Sequence, residues 1–279
     1  LHLGSLVTAA ASYLHARQAR GEWLVRIDDI DPPRELPGVA DDILRTLEAF
    51  DLEWDRTVLY QSSRLELYRE TAERLLVAGR AFRCRCTRSE LRAAHESQPG
   101  RYPGTCRERQ LPPGDAAVRA RVEPGVVRVI DGLQGVAETD LSAALGDYVI
   151  VRRDGLPAYH LAVVLDDAAQ GVTTVVRGVD LLDSTAAHVH LQAALALPTP
   201  EYYHVPVVVN ALSQKLSKQT GAKPVGAPEP GAPARVLAAL GLTAPTELNR
   251  ERPRVVWQWA LERWSIESLR GHREIAGLE

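Results

Sequence analysis

LHLGSLVTAAASYLHARQAR, Leu1 to Arg20, sets a histidine and a glycine against the first turn of an alanine-rich helix. Leu6, Tyr13 and Leu14 fall on one face of that helix. A glycine at a helix start lets backbone approach a ligand closely. The helix end offers unsatisfied N–H groups and about half a positive charge, which suits phosphate. His2 could add a hydrogen bond to a phosphate oxygen. Two readings stand: a ragged end carrying a loop histidine, or the second half of a phosphate-binding turn. The 279 residues contain no Met, so Leu1 is expected to be a truncation point, with the first strand and half of the turn upstream of it.

Working outward, strand-like and helix-like segments alternate. EWLVRIDD (22–29) reads as a short buried strand ending in acids. PGVADDILRTLEAF (37–50) and SSRLELYRETAERLLVAG (62–79) read as helices, the second stopped by Gly79. The alternation predicts a parallel α/β sheet. From 81 to 145 the texture changes to a cysteine cluster, a short helix, Pro/Gly turns and two or three strand-like runs, AVRARV and VVRVIDG among them. This stretch is expected to be an insertion. The α/β pattern resumes with DYVIVRRDG, PAYHLAVVLDDAAQ, TTVVRG, STAAHVHLQAALAL and the buried strand YYHVPVVVN. SQKLSKQTGAKPVGAPEPGAP reads as a mobile loop, and two helices carrying Trp257, Trp259 and Trp264 close the chain. The expected divisions are 1–80 and 146–210 for the two halves of the α/β domain, 81–145 for the insertion, and 211–279 for the loop and a helical part.

Composition is that of a globular protein, 45% hydrophobic and 25% charged. No apolar run reaches membrane-spanning length. A net charge of −3 excludes a generic polyanion binder, but charge is unevenly spread. Arg26–Asp55 holds ten acidic and three basic residues, whereas Arg80–Arg128 holds eleven arginines against five acids. Nucleic-acid contact is therefore expected to be local, the second region being one candidate. Cys84, Cys86 and Cys106 make a poor disulfide framework and a better metal cluster, one ligand short of a four-coordinate zinc site. Three free thiols in a small core is the plain alternative. The cysteine usage points to a reducing, cytoplasmic setting.

Three groups of residues carry candidate chemistry. KLSKQ, Lys215–Gln219, puts Lys215 and Lys218 on a loop after a buried strand. Lysine suits charge that moves between phosphates, although a solvated basic loop has the same look. In RIDDIDPPRE, Asp28 and Asp29 end a strand where open α/β sheets bind ligands. Asp28 could hold an ammonium, Arg177 a carboxylate, and Tyr159 could add a phenolic hydrogen bond. Together they make an amino-acid site, and the arginine favours an acidic substrate. An internal Asp28–Arg177 ion pair is the competing reading. His188 and His190 read as structural, Asp166 and Asp167 as a cap or turn, and the tryptophans as helix packing.

An H-x-G turn opening the first helix of a parallel sheet, with a K-x-S-K loop late in that sheet, resembles the catalytic domain of class I aminoacyl-tRNA synthetases. LHLGS stands where that family has HIGH, and KLSKQ where it has KMSKS. Ser5, Leu216 and Gln219 depart from those motifs. RIDDIDPPRE and AYHLAVVLDDAAQGVTTVVRGVDLLDST are similar to the matching stretches of glutamyl-tRNA synthetases and of their short paralogues, the glutamyl-queuosine tRNA(Asp) synthetases. The resemblance implies a Rossmann-like catalytic domain with a zinc-bearing insertion and a small C-terminal helical part. It implies activation of glutamate with ATP and Mg²⁺, without tRNA, and transfer to queuosine at the wobble position of tRNA(Asp). It places Asp28, Tyr159 and Arg177 on glutamate, His2, Gly4, Lys215 and Lys218 on ATP, and His2 and Lys218 in catalysis. Asp28 departs from the family's usual Glu. The resemblance also supplies Tyr102 as the fourth Zn²⁺ ligand, with His95 a rival. With 60 residues after KLSKQ, the short paralogue is expected over a glutamyl-tRNA synthetase that charges the tRNA 3′ end. A non-catalytic nucleotide or tRNA sensor is the other alternative. A monomer is expected.

Overall fold

The fold is that of a computed structural model, which describes residues 1–31, 37–97, 101–210, 214–216 and 225–276, with side chains at 94–97 left aside. Helix α1 (Leu3–Gln18) buries Leu6, Val7, Ala10, Ala11 and Leu14, the three- and four-residue spacing of one helical face. Two-residue strands β1 (Arg26–Ile27) and β2 (Leu59–Tyr60) pair in parallel. Helix α2 (Val39–Ala49) lies between them. The ladder is shorter than EWLVRIDD predicts, because the Trp23 N–H donates to the Asp55 carboxylate at 2.8 Å and not to a strand. Helix α3 (Leu65–Val77) ends at Gly79, whose φ of +67° suits a residue without Cβ.

Strand β3 (Ala81–Cys84), helix α4 (Arg88–Ser97) and strand β4 (Ala117–Ala120) follow. Then come β5 (Val126–Asp131), β6 (Gly135–Asp140), the single turn α5 (Leu141–Ala144) and β7 (Val149–Val151). Helix α6 (Tyr159–Gln170), strand β8 (Thr174–Gly178), helix α7 (Leu182–Ala194) and strand β9 (Glu201–Val205) form the second α/β run. β10 (Val207–Val208), α8 (Ala232–Ala239), α9 (Pro253–Leu261) and β11 (Glu274–Ile275) complete the chain.

The main sheet has the order β6-β5-β9-β8, with β8, β9 and β5 parallel and β6 an antiparallel edge. β10 and β11 pair in parallel. The α/β architecture with a parallel-sheet core is as expected. Strands of the 81–145 stretch also join strands outside it. β4 pairs with β7 in the antiparallel sheet β3-β4-β7, and β5 pairs with β9. We propose to keep the divisions at 80, 145 and 210, with the insertion sharing sheets with its host.

One core joins α1 to α8, α9 and the tryptophans through Leu6, Leu14, Phe50, Leu237, Trp257 and Trp264. Trp257 Nε1–H donates to the Phe50 carbonyl at 2.6 Å and Trp264 Nε1–H to the Leu240 carbonyl at 3.0 Å, so each buried indole has its partner. A second core joins α3, α6 and α7 through Tyr68, Leu75, Leu161, Val164 and Leu191.

Candidate functional site

At the start of α1, His2 is the N-cap and folds back over the helix end. Its Nδ1 accepts from the Ser5 N–H at 3.2 Å, and Nε2 lies 3.0 Å from Ser5 Oγ. A Cβ on Gly4 would sit 3.3 Å from two atoms of that imidazole and 3.5 Å from Val208 Cβ. Glycine therefore lets the ring and β10 close on the helix terminus. Through its backbone the same stretch also meets the lysine segment: Lys215 bridges to Val209, and the Leu216 N–H donates to the Val208 carbonyl at 2.8 Å. The Val225 N–H returns to the Leu1 carbonyl at 2.8 Å. Gly4 and Lys215, distant in sequence, thus both lie against the stretch Val208–Val209. Lys215 Nζ donates to Asp180 Oδ2 at 2.6 Å. Lys218 lies outside the described residues.

Arg177, at the end of β8, is 9% exposed. Its Nε donates to His204 Nε2 at 3.1 Å, and Nη1 reaches Tyr159 Oη and His188 Nδ1, each at 3.2 Å. Nη2 donates to Thr185 Oγ1 at 2.8 Å and to the Leu181 carbonyl at 3.4 Å. Among the described residues no carboxylate takes any of these bonds. The guanidinium is thus buried with no carboxylate in contact with it among the described residues. Burial pushes the Tyr159 phenol above its usual range, with Arg177 pulling it down and the Asp28 charge pushing it up. Asp28, Tyr159 and Arg177 therefore share one electrostatic neighbourhood.

Asp28 does not pair with Arg177. Its Oδ1 accepts from Arg26 Nε at 2.9 Å, and Arg26 Nη1 donates to Asp167 Oδ1 at 2.6 Å. Burial works against the Arg26 charge, but the two carboxylates outweigh it and hold the guanidinium protonated. Burial lifts the Asp167 carboxyl, and Arg26 offsets part of that rise. Asp166 is fully buried, bound by Arg64 at 2.7 Å, Gln61 at 2.8 Å and Tyr68 at 2.7 Å. Both acids lie inside α6, so neither is a cap or turn. Asp167 supports the site, and Asp166 fastens α6 to α3.

The sequence reading set His188 aside as structural, although its Nδ1 lies 3.2 Å from Arg177 Nη1, and passed over Thr185, His204 and Asp131. Thr185 and His188 sit three apart on α7, a spacing that puts them on one helix face. His204 shares a face of β9 with buried Tyr202. A histidine on the buried face of a strand, two residues after a buried tyrosine, was the available signal.

Cys84 ends β3 and Cys86 follows two residues on. Tyr102 Oη lies 3.3 Å from Cys84 Sγ and 3.8 Å from Cys86 Sγ, and it accepts from the Cys106 N–H at 2.8 Å. Cys86 Sγ and Cys106 Sγ are 3.6 Å apart, and the three sulfurs lie within 4.8 Å of one another. Tetrahedral zinc with Zn–S of about 2.3 Å requires S···S near 3.8 Å, so the donor set fits. The Arg119 guanidinium stacks 3.8 Å over the Tyr102 ring. Burial tends to raise the Cys84 thiol, but hydrogen bonding with Tyr102 and Arg119 brings it below its ordinary value. Burial pushes Cys86 up to about 11. The His95 side chain lies outside the described residues.

A profile of the family described as "tRNA synthetases class I (E and Q), catalytic domain" matches residues 1–227. The glutamyl-Q tRNA(Asp) synthetase of Aromatoleum aromaticum is 50% identical over 273 residues, covering 95% of this chain and 85% of that protein. That of Chromobacterium violaceum is 49% identical over 271 residues, covering 95% and 90%. In fold, the chain is similar to a glutamate tRNA ligase from Elizabethkingia meningosepticum solved in complex with its amino acid. The TM-score is 0.80 at 23% identity, over 99% of this chain and 64% of the other. The chain thus spans less than two thirds of that ligase. The match over residues 1–227 and the identities near one half make the chain an ATP-dependent ligase that belongs to the glutamyl-Q tRNA(Asp) synthetase family of class I tRNA synthetases.

Proposed function

We propose that the chain activates glutamate with ATP to glutamyl-adenylate without tRNA, then transfers the glutamyl group to queuosine at the wobble position of tRNA(Asp). The family supports the coarser statement, ligation of glutamate to tRNA with ATP and Mg²⁺. The single observation that carries the reading is Arg177, a buried cation whose five bonds all go to groups other than carboxylates, beside a Tyr159 on which the Asp28 charge also acts. A cation bonded to the phenol and an anion near enough to act on it match the carboxylate and ammonium of an amino acid.

In this reading Arg177 and Tyr159 hold a glutamate carboxylate and Asp28 its ammonium. His2, Gly4, Lys215 and Lys218 face the triphosphate, with His2 and Lys218 stabilising charge on the leaving pyrophosphate. The α-carboxylate oxygen attacks the α-phosphorus in line as the bond to the bridging oxygen breaks. A hydroxyl of queuosine's cyclopentene ring then attacks the acyl carbon and AMP leaves. Positioning and charge stabilisation suffice, without a side-chain nucleophile. Mg²⁺ accompanies the nucleotide. Cys84, Cys86, Cys106 and Tyr102 would hold Zn²⁺, whose part is to tie β3 to the loop at 102–106.

We further propose a monomer working in the cytoplasm. Among the described residues no helix is long and apolar enough to cross a membrane. The test is glutamate-dependent ATP–pyrophosphate exchange without tRNA, followed by acid-gel mobility of periodate-sensitive tRNA(Asp). No exchange would leave a non-catalytic nucleotide or tRNA binder. Label on the 3′ end in place of the wobble base would make the chain a charging enzyme.

A further inference from the structure

Behind Arg177 lies a second buried pair. Asp131 ends β5 and His204 lies on the adjacent β9, with Asp131 opposite Tyr202 in the ladder. Asp131 Oδ2 is 2.6 Å from His204 Nδ1 and accepts from the His204 backbone N–H at 3.1 Å. Its Oδ1 accepts from the N–H groups of Leu133 at 3.0 Å and Gln134 at 2.8 Å. Both side chains are fully buried. Burial alone would raise the Asp131 carboxyl, but the His204 and backbone donors hold it below its usual range. An ionised carboxylate is an acceptor only, so the proton of a neutral imidazole facing it sits on Nδ1. Nε2 is then bare. It receives Arg177 Nε at 3.1 Å, with Thr185 Oγ1 also at 3.1 Å.

We propose that Asp131 and His204 are positioning residues for the carboxylate-binding guanidinium: the carboxylate sets the imidazole tautomer, and the tautomer aims Arg177. This rests on Arg177 being a glutamate contact. Neither residue touches substrate. Their arrangement balances the buried Arg177 charge through a neutral ring. The partners use the donors of Arg177 without cancelling its charge, whereas a carboxylate paired directly with it would neutralise that charge and compete with the substrate. The backbone guards the same register. A Cβ on Gly132, next to Asp131, would run into the Tyr203 ring.

Asparagine at 131 can keep an oxygen toward Leu133 and Gln134 while turning its NH₂ toward Nδ1. The imidazole proton then moves to Nε2, and two donors face each other where Arg177 is anchored. The experiment is ATP–pyrophosphate exchange with glutamate and ATP varied separately, on the wild-type chain, Asp131→Asn, His204→Gln and the double variant. Asp131→Asn is expected to raise the KM for glutamate by about tenfold or more, the scale of one lost charge-assisted hydrogen bond, and to leave the KM for ATP unchanged. His204→Gln offers an acceptor oxygen with no tautomer to set. It should retain glutamate affinity better than Asp131→Asn, and adding Asp131→Asn to it should change nothing further.

Equal changes in both KM values, no change in either, or a double variant as impaired as Asp131→Asn would overturn the proposal. If Asp131→Asn does not fold, as judged by its melting curve, His204→Leu against His204→Gln replaces it. A selective loss of glutamate affinity in the leucine variant supports the proposal, and equal behaviour of the two overturns it. The wild-type result is read first. Absence of glutamate-dependent exchange there removes the function reading and this inference together, whereas failure confined to the variants counts against the inference alone.

Discussion

Lys215 Nζ donates to Asp180 Oδ2 at 2.6 Å, and Asp180 stands three residues after Arg177. One ion pair thus joins the segment that begins the lysine-bearing loop to the strand end that carries the buried guanidinium. The two side chains are 46% and 36% exposed, so the pair's worth to stability is small, ~0–1 kcal/mol. Its weight falls on placement. Asp180→Asn is expected to leave the melting temperature nearly unchanged while raising the KM for ATP several-fold in pyrophosphate exchange. A large loss of stability with an unchanged KM would show the pair to be a structural brace only.

Gly4 separates stability from activity. Alanine is the better helix former by ~1 kcal/mol, yet its Cβ would press on the His2 ring at 3.3 Å. Gly4→Ala should therefore keep or slightly raise the melting temperature and lower exchange by about tenfold, the rate cost of ~1.4 kcal/mol of misplaced charge stabilisation. Unimpaired exchange would mean that the imidazole position does not matter.

Two buried histidines predict an acid limit. Burial, with Arg177 adding to it, depresses His188 to about 2 and His160 to about 4, below the usual 6.5. The unfolded chain takes up a proton on each as pH falls through 6.5, whereas the folded chain does so only near those lower values. Their contribution to stability is therefore fully present above pH 6.5 and is lost on acidification toward the folded values. Each adds a slope of up to ~1.4 kcal/mol per pH unit in that window. Urea titrations of wild type and His188→Gln between pH 7 and 4.5 should diverge by that slope. Parallel lines would place His188 in water.

For the cysteine cluster, metal analysis should find one zinc per chain. Cys106→Ser should lose it outright. Tyr102→Phe keeps three sulfurs and should release zinc faster to a chelator, while His95→Ala should match wild type. The reverse order for Tyr102 and His95 would move the fourth ligand.

What was readable in the sequence was what local pattern controls. The α1 face, the β8 and β9 runs, the Cys84–Cys86–Cys106 cluster and the closing tryptophans follow from spacing, and each has its place in the fold. Arg177 was readable because arginine at the end of an apolar strand is conspicuous. Its anchors were not. Asp131, His204 and His188 come from three elements, and only the pairing of β5 with β9 and the packing of α7 bring them together. Asp166 and Asp167 were misjudged for a related reason. Two acids ending an apolar run suggest a terminus, whereas here Arg64 and Arg26, from other elements, offset the cost of keeping them inside α6.

The sharing of one core by α1 and the closing helices bears on how the chain can be divided. Leu6 and Leu14 pack in the same cluster as Leu237, Leu240, Trp257 and Trp264, and Gln18 Nε2 reaches the Leu261 carbonyl at 3.0 Å. Helix α1 is thus roofed by the last quarter of the polypeptide. A protease or a cloning boundary that removed residues after 230 would expose the apolar side of α1 to water, so expression of the first 227 residues alone should yield aggregates, not a smaller working enzyme.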